Sequence, residues 1–348
     1  MFMKKLCMAS AKAAIAMPRR VLALLTLFSV LGVPNPGSAQ TFNQIYVFGD
    51  SLSDVGNVLK ATNGQYPPNP PYFQGRYSNG PVWADYLASK LKLKSSTETN
   101  FAYGGATTGN SRQIPPGLLA QIESFKATHS SANPKALYVV WAGANDYLRG
   151  ATDSTVPINN LAIAVKSLSV AGAKNIVVVN LPDLGKLPGT RTTQRSESLN
   201  VLTKKHNSGL AASLNGLRQQ LNSDIKITYL DVNSLYNQVT NNPKKFGFTN
   251  VTNACISRAK ICNNPNEYLF WDSIHPTTAA HKLFVELAFP ALKSTLESRA
   301  VSSSQTTVSP TPVSGTSVEP TIAIGGIILG AVGGGLIVTR IHRMKNKS

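Results

Sequence analysis

Ile45-Tyr46-Val47-Phe48-Gly49-Asp50-Ser51-Leu52-Ser53-Asp54 joins an uninterrupted apolar run to a Gly-Asp-Ser turn. A short apolar run closed by turn residues reads as a buried strand, which puts Ser51 in the loop at the carboxyl end of that strand. Open α/β sheets place their ligands there. Gly-Asp-Ser is also an ordinary turn, in which Asp and Ser side chains bond nearby backbone groups. The weight given to Ser51 therefore depends on what the rest of the chain can bring to it.

Outward from this stretch the same strand signal recurs at Leu137–Trp141, Ile176–Asn180 and Ile225–Leu230. Longer segments with helical periodicity separate the strands, at Leu118–Ala127, Leu161–Val170 and Leu199–Leu221. Strands alternating with helices predict crossover connections and a mainly parallel sheet, so the fold class is α/β. No internal repeat interrupts the pattern, and residues 40–298 are long enough for one sizeable core.

A serine hydroxyl is a poor nucleophile near neutral pH. It needs an imidazole to take its proton and a carboxylate to fix that imidazole and stabilise its cation. Asp272-Ser273-Ile274-His275-Pro276 offers both in one tight segment, behind the aromatic run Tyr268-Leu269-Phe270-Trp271 that should pack and hold it still. Acyl transfer also builds negative charge on the carbonyl oxygen. The glycine turn Tyr103-Gly104-Gly105-Ala106 and the segment Gly143-Ala144-Asn145-Asp146, which follows the strand ending at Trp141, are candidate donors. The expected constellation is Ser51, His275 and Asp272, with an oxyanion hole formed by the N–H groups of Ser51 and Gly105 and the Asn145 amide. As ordinary structure, the glycine pair would be a flexible turn and Asn145 a cap or Asx turn.

These segments, in this order, resemble the four blocks of the GDSL or SGNH hydrolase superfamily. The resemblance extends to Tyr72–Trp83 and Asn264–Asp272, and covers roughly residues 43–296. It points to the lipase and esterase branch that includes bacterial phospholipases and acyltransferases. The resemblance implies a three-layer α/β/α sandwich around a mainly parallel sheet, flavodoxin-like, with the site at the carboxyl ends of the strands. It further implies that Ser51 attacks an ester, that His275 is the base oriented by Asp272, and that Gly105 and Asn145 serve the oxyanion with the Ser51 N–H. Lipid or other acyl esters are the expected substrates. Two alternatives stand beside hydrolysis: acyl transfer from the same intermediate to an alcohol, or a non-catalytic surface module.

The sequence has no G-x-S-x-G elbow, no H-E-x-x-H and no complete phosphate loop, so nothing in it demands a metal, nucleotide or other cofactor. His129, His206 and His281 lie in polar or helical contexts and are expected to be structural, and His342 belongs to a basic tail.

The two ends speak of location. Lys4, Lys5, Lys12, Arg19 and Arg20 precede the apolar run Val21–Val33 and the small-residue site Gly37-Ser38-Ala39, which reads as an export signal over residues 1–39. A Ser/Thr/Pro-rich linker is expected over 299–320, a membrane-spanning or sorting helix over 321–339, and a basic cytoplasmic tail over 340–348. Val318-Glu319-Pro320 with the segment that follows resembles the PEP-CTERM sorting signal, though without the first proline of the usual motif, and would bring in a sorting protease. Net charge falls from +18 to +13 without the five basic residues of the signal, and to +9 without Arg340, Arg343, Lys345 and Lys347. Half of the excess charge therefore belongs to the ends, and the rest carries no nucleic-acid motif. With Cys7 in the signal, Cys255 and Cys262 remain as a possible disulfide of an oxidising compartment, closing a short loop just before Asp272.

Overall fold

The computed structural model describes residues 42–257 and 260–303. Strand β1 (Gln44–Gly49) is followed by two short helices, α1 (Asn57–Ala61) and α2 (Trp83–Lys90), and then by α3 (Leu118–Thr128). Next come β2 (Ala136–Trp141), α4 (Ala144–Leu148), α5 (Thr155–Ala171), β3 (Asn175–Val179), α6 (Ser196–Gln220), β4 (Lys226–Leu230) and α7 (Val232–Asn241). The last third holds β5 (Asn250–Ala254), β6 (Ile256–Ser257), β7 (Lys260–Ile261), β8 (Tyr268–Phe270) and α8 (Thr278–Ser303).

The four principal strands form one parallel sheet in the order β1-β2-β3-β4. An extended segment lengthens it on the free side of β1. Val47 bridges Asn100 in parallel, with Val47 N–H donating to Thr99 O at 3.1 Å, Phe101 N–H to Val47 O at 2.7 Å and Tyr103 N–H to Gly49 O at 3.2 Å. Counting this edge, the spatial order is 2-1-3-4-5, the flavodoxin-like arrangement, whose switch point lies between β1 and β2. The loops carrying Ser51 and Asn145 leave the sheet at that point.

Alternation along each strand divides the core into two layers. Tyr46, Phe48, Tyr138, Val140 and Val178 face Leu118, Ile122 and Phe125 of α3, Leu161 and Leu168 of α5, and Leu210 and Leu214 of α6. Ile45, Val47, Leu137, Val139 and Val177 face Trp83 and Leu87 of α2 with Val285 and Leu292 of α8. The result is the expected three-layer α/β/α sandwich around a parallel sheet. In α6 the buried positions Leu199, Thr203, His206, Leu210, Leu214 and Leu217 step by three and four, the stripe of a helix lying on a sheet. A third apolar cluster, with Leu184, Leu187, Tyr236, Phe248, Leu269 and Phe284, brings β8, α7 and α8 together.

The segment before Asp272 is more built than its sequence announces. β5 pairs with β8 in parallel, and β6 and β7 form a two-residue antiparallel ladder closed by a disulfide between Cys255 and Cys262. Their strands are too short, and β5 too mixed in burial, to leave a period-two signature. At the carboxyl end α8 runs to Ser303, beyond residue 298 and into the span expected as linker. The expected signal over 1–39, and the sorting or membrane segment over 321–339 with its tail, lie outside the described residues. Among the described residues no helix is long and apolar enough to cross a membrane.

Candidate active site

The Ser51 side forms because β1 ends in a glycine that nothing larger can replace. A Cβ on Gly49 would stand 2.1 Å from the Trp141 carbonyl oxygen, so a side chain there would force β1 and β2 apart. The Gln121 amide clamps the same residue from α3, donating to Gly49 O at 2.8 Å and accepting from Gly49 N–H at 2.9 Å. Beyond the turn, the Asp54 carboxylate accepts from Gly56 and Asn57 N–H at 2.8 and 2.7 Å and reaches across to Gly104 N–H at 2.8 Å. Asn57 Nδ2 donates to the Asn100 and Ala102 carbonyls, and Asn100 Nδ2 to Ser53 O. Buried amides and a carboxylate thus tie the nucleophile loop to the glycine turn.

Gly105 has φ +80°, a left-handed conformation that favours glycine, and a Cβ there would meet the Arg149 guanidinium at 3.0 Å. The Asn145 amide donates to Ala106 O at 2.9 Å. Asp146 accepts from the backbone and hydroxyl of Thr108 at 3.0 and 2.6 Å. The helix start that carries Asn145 is therefore bolted to the glycine turn by two neighbouring side chains. Neither Ser51 nor Gly105 donates its N–H to a protein acceptor among the described residues. Asn145 lines the pocket beside Ser51, whereas Gly105, in the turn that Asn145 and Asp146 hold, is not among its lining residues.

On the other side, β8 and its neighbours deliver the imidazole. Leu269, Phe270 and Trp271 are buried, and the turn after them closes with Trp271 N–H donating to His275 O at 2.7 Å. Inside it, Asp272 Oδ1 accepts the Ile274 and His275 N–H groups, each at 2.8 Å, while Oδ2 lies 2.7 Å from His275 Nδ1. His275 Nε2 lies 2.8 Å from Ser51 Oγ. Two residues 224 positions apart therefore touch, and both side chains are buried.

Tyr72 donates to Asp272 Oδ2 at 2.7 Å, and the Tyr77 ring sits 5.1 Å from that of His275. Ser78 Oγ donates to Pro276 O at 2.9 Å, and Asn79 Oδ1 accepts from Thr278 N–H at 2.9 Å. The Tyr72–Asn79 stretch thus braces the Asp-His turn. The sequence includes this stretch in the family resemblance over Tyr72–Trp83 but gives none of its residues a task. Spacing carries no sign of a contact 200 residues away. A tyrosine whose hydroxyl must find a partner inside an aromatic loop is the only available hint.

Electrostatics distinguish the acids. Burial alone would raise Asp272, but the positive charge and hydrogen bond of His275 and the two backbone donors outweigh it and hold the carboxyl at about 2. Asp50, next to the nucleophile, is pushed up to about 7 by complete burial, which the Leu52 N–H and the charge of His275 offset only in part. His206 is buried with Nδ1 2.8 Å from Tyr147 Oη, and burial lowers it to about 4. His281, fully buried, is lowered to about 3 by burial and then by the charge of His275. Both stay neutral near pH 7 and sit inside helices as packing residues. His129 stacks on Phe125 with ring centres 4.4 Å apart. Among the described residues no cluster of three or more His, Cys, Asp or Glu is arranged to hold a metal ion.

An apolar pocket of about 670 Å³, counting its open mouth, adjoins Ser51, Asn145 and His275, with Leu148, Leu187 and Ile274 in its wall. A hydroxyl bonded to an imidazole, an imidazole bonded to an ionised carboxylate, free donors nearby and an apolar pocket together suit nucleophilic attack on a carbonyl that carries a hydrocarbon group.

Comparison with known proteins agrees. The family described as GDSL-like Lipase/Acylhydrolase matches residues 45–288. A phosphatidylcholine-sterol acyltransferase of Aeromonas hydrophila is 28% identical over 323 residues, covering 77% of this chain and 95% of that protein. A thermolabile hemolysin of Vibrio parahaemolyticus is 29% identical over 269 residues, covering 70% of this chain and 62% of its own length. Among solved structures, a member of the lipolytic protein G-D-S-L family from Veillonella parvula aligns at 17% identity with a TM-score of 0.44, over 71% of this chain and 96% of that one. With the family match spanning all four blocks, the chain is a serine ester hydrolase and belongs to the GDSL-like lipase/acylhydrolase family.

Proposed function

We propose that the protein is an exported esterase or lipase that cleaves lipid or other acyl esters through an acyl-Ser51 intermediate. The observation that carries this reading is the continuous chain of contacts Ser51 Oγ–His275 Nε2 at 2.8 Å and His275 Nδ1–Asp272 Oδ2 at 2.7 Å, opening on an apolar pocket. His275 takes the Ser51 proton as Oγ bonds the carbonyl carbon, and Asp272 stabilises the imidazolium. The Ser51 and Gly105 N–H groups and the second Asn145 amide hydrogen hold the oxyanion. Collapse breaks the ester bond, and the alcohol leaves with the proton from His275. Water, deprotonated by the same imidazole, then attacks the acyl carbon and releases the acid and Ser51.

A second reading is favoured by one specific similarity. The Aeromonas hydrophila relative is described as an acyltransferase, and an alcohol in place of water in the second step would make this chain one too. Residues 1–39 as export signal, 299–320 as linker and 321–339 as anchor or sorting helix complete the proposal, and the disulfide between Cys255 and Cys262 suits an oxidising compartment.

Rapid-quench mass spectrometry with a p-nitrophenyl ester tests the intermediate. An acyl adduct on Ser51 in the wild-type chain, and none in Ser51→Ala, is the expected result. Normal turnover by a folded Ser51→Ala protein would overturn the mechanism. Product analysis with water and an alcohol acceptor in competition separates hydrolysis from transfer.

A further inference from the structure

The pocket beside Ser51 has a continuation. Trp141, Val232 and Phe284 line it and also line a second apolar space of about 500 Å³ between the sheet and α8. Every residue around that second space is apolar, including Val139, Val177, Ala288 and Leu292. Val139 lies two residues before Trp141 on the same face of β2, so this wall recedes about 7 Å down the strand. From Phe284 to Leu292 the opposite wall follows α8 for about 12 Å. The three shared side chains stand between an outer chamber that holds Ser51 and an inner one beneath α8.

We infer that the two spaces are one acyl-chain channel, in which the first methylenes of the acyl group lie in the outer pocket and the distal ones pass Trp141, Val232 and Phe284 into the space beneath α8. The inference rests on the acyl-serine reading and deepens it, because it assigns long-chain acyl esters as the substrates. Chemistry decides which half of the ester goes inward. The alcohol departs in the first step and needs the open mouth. The acyl group stays bonded to Ser51 until water reaches it, so it can occupy the space beneath α8 without blocking turnover. Apart from the indole N–H groups of Trp83 and Trp141, no side chain around this chamber can hydrogen-bond, which suits a hydrocarbon tail and penalises a polar headgroup.

The test uses the full chain and p-nitrophenyl butyrate, octanoate and dodecanoate, each below its micelle concentration. Burial of hydrocarbon sets the expected gain in kcat/KM at about fourfold per methylene at most, continuing through dodecanoate. Ala288→Phe puts a ring into the inner chamber and should lower the dodecanoate-to-butyrate ratio of kcat/KM at least tenfold. Ala288→Leu should lower it less, and carries the test alone if the larger substitution does not fold by circular dichroism. An unchanged ratio in a folded variant whose hydrolysis still depends on Ser51 would overturn the channel and leave the mechanism standing. Hydrolysis that persists in Ser51→Ala, or no hydrolysis of any of the three esters by the wild type, would overturn the mechanism and the channel with it.

Discussion

The two sides of the active site handle a buried carboxyl group in opposite ways. Next to Ser51, Asp50 accepts from the Leu52 N–H at 3.1 Å, and burial carries it up to about 7. Beside His275, Asp272 is nearly as deep, yet a charge partner and several donors hold it at about 2. The contrast fits the division of labour. Negative charge has to be permanent where an imidazolium forms, whereas a full anion close to the forming oxyanion would oppose it. Architecture follows the same split. The nucleophile side is stitched to the central sheet by Gln121, Asp54, Asn57 and Asn100, while the base side hangs on β8, the disulfide-closed β6–β7 ladder and the Tyr72–Asn79 brace.

The largest effect should come from the fixed charge. Asp272→Asn keeps the shape of the turn but removes the anion that stabilises the imidazolium and sets its tautomer, so kcat should fall on the order of 10⁴-fold. Retention of activity within tenfold would break the proposed contrast. On the opposite side, Asn145→Ala removes the proposed oxyanion donor and the bond to Ala106 O, and kcat should fall about 10² to 10³-fold with little change in KM. A change confined to KM would assign Asn145 to ground-state binding instead.

Asp50 offers a pH test whose sign is opposite to that of Asp272. Between the ordinary carboxyl value of 3.8 and about 7 the folded protein keeps a proton on Asp50 that the unfolded chain has released. Its contribution to stability therefore falls as pH rises across that window and is level above it. Asp272, depressed to about 2, contributes stability that is complete above 3.8 and lost as pH falls toward 2. Melting curves from pH 4 to 8 should show a smaller loss of stability with rising pH in Asp50→Asn than in wild type. Parallel curves would remove Asp50 from the comparison.

The smallest effect concerns the scaffold of the base side. The disulfide closes a loop with a sequence separation of 7, for which chain entropy gives about 2.5 kcal/mol. Cys255→Ser with Cys262→Ser should lower unfolding free energy in urea by about that amount. Because Cys255 and Ile256 also donate to Phe270 O and Trp271 O, the loss in kcat should exceed any caused by an equal destabilisation placed in α6. Equal losses would show that the β6–β7 ladder serves stability alone.

What could be read from the chain follows from periodicity and from compact motifs. Ile45–Phe48, Leu137–Trp141 and Ile176–Val179 are buried on both faces, and such strands leave continuous apolar runs that need no knowledge of their partners; Ile225–Leu230, at the edge of the sheet and half-buried, is broken by Lys226 and Thr228 and leaves a weaker signal. The short strands β5 to β7 left no such trace, because their burial is partial and their pairing is set by the disulfide and by β8. The Asp272–His275 turn was legible because both side chains lie within one turn of backbone. The services of Tyr72, Gln121, Asn57 and Asp146 were not, since each acts on a group that only folding brings near.

By itself, then, the sequence determined the α/β alternation, the proposed trio of Ser51, His275 and Asp272, and the presence of an apolar fold large enough to house them. Local hydrophobic pattern and residue chemistry suffice for those. Tertiary structure alone decided that the strand-like Asn100 segment joins the sheet beside β1, that a phenol shares the Asp272 carboxylate, and that a second apolar space adjoins the pocket at Trp141 and Phe284. Each of these is a meeting of surfaces far apart along the chain, fixed by how helices and strands pack and by where buried polar groups find their partners.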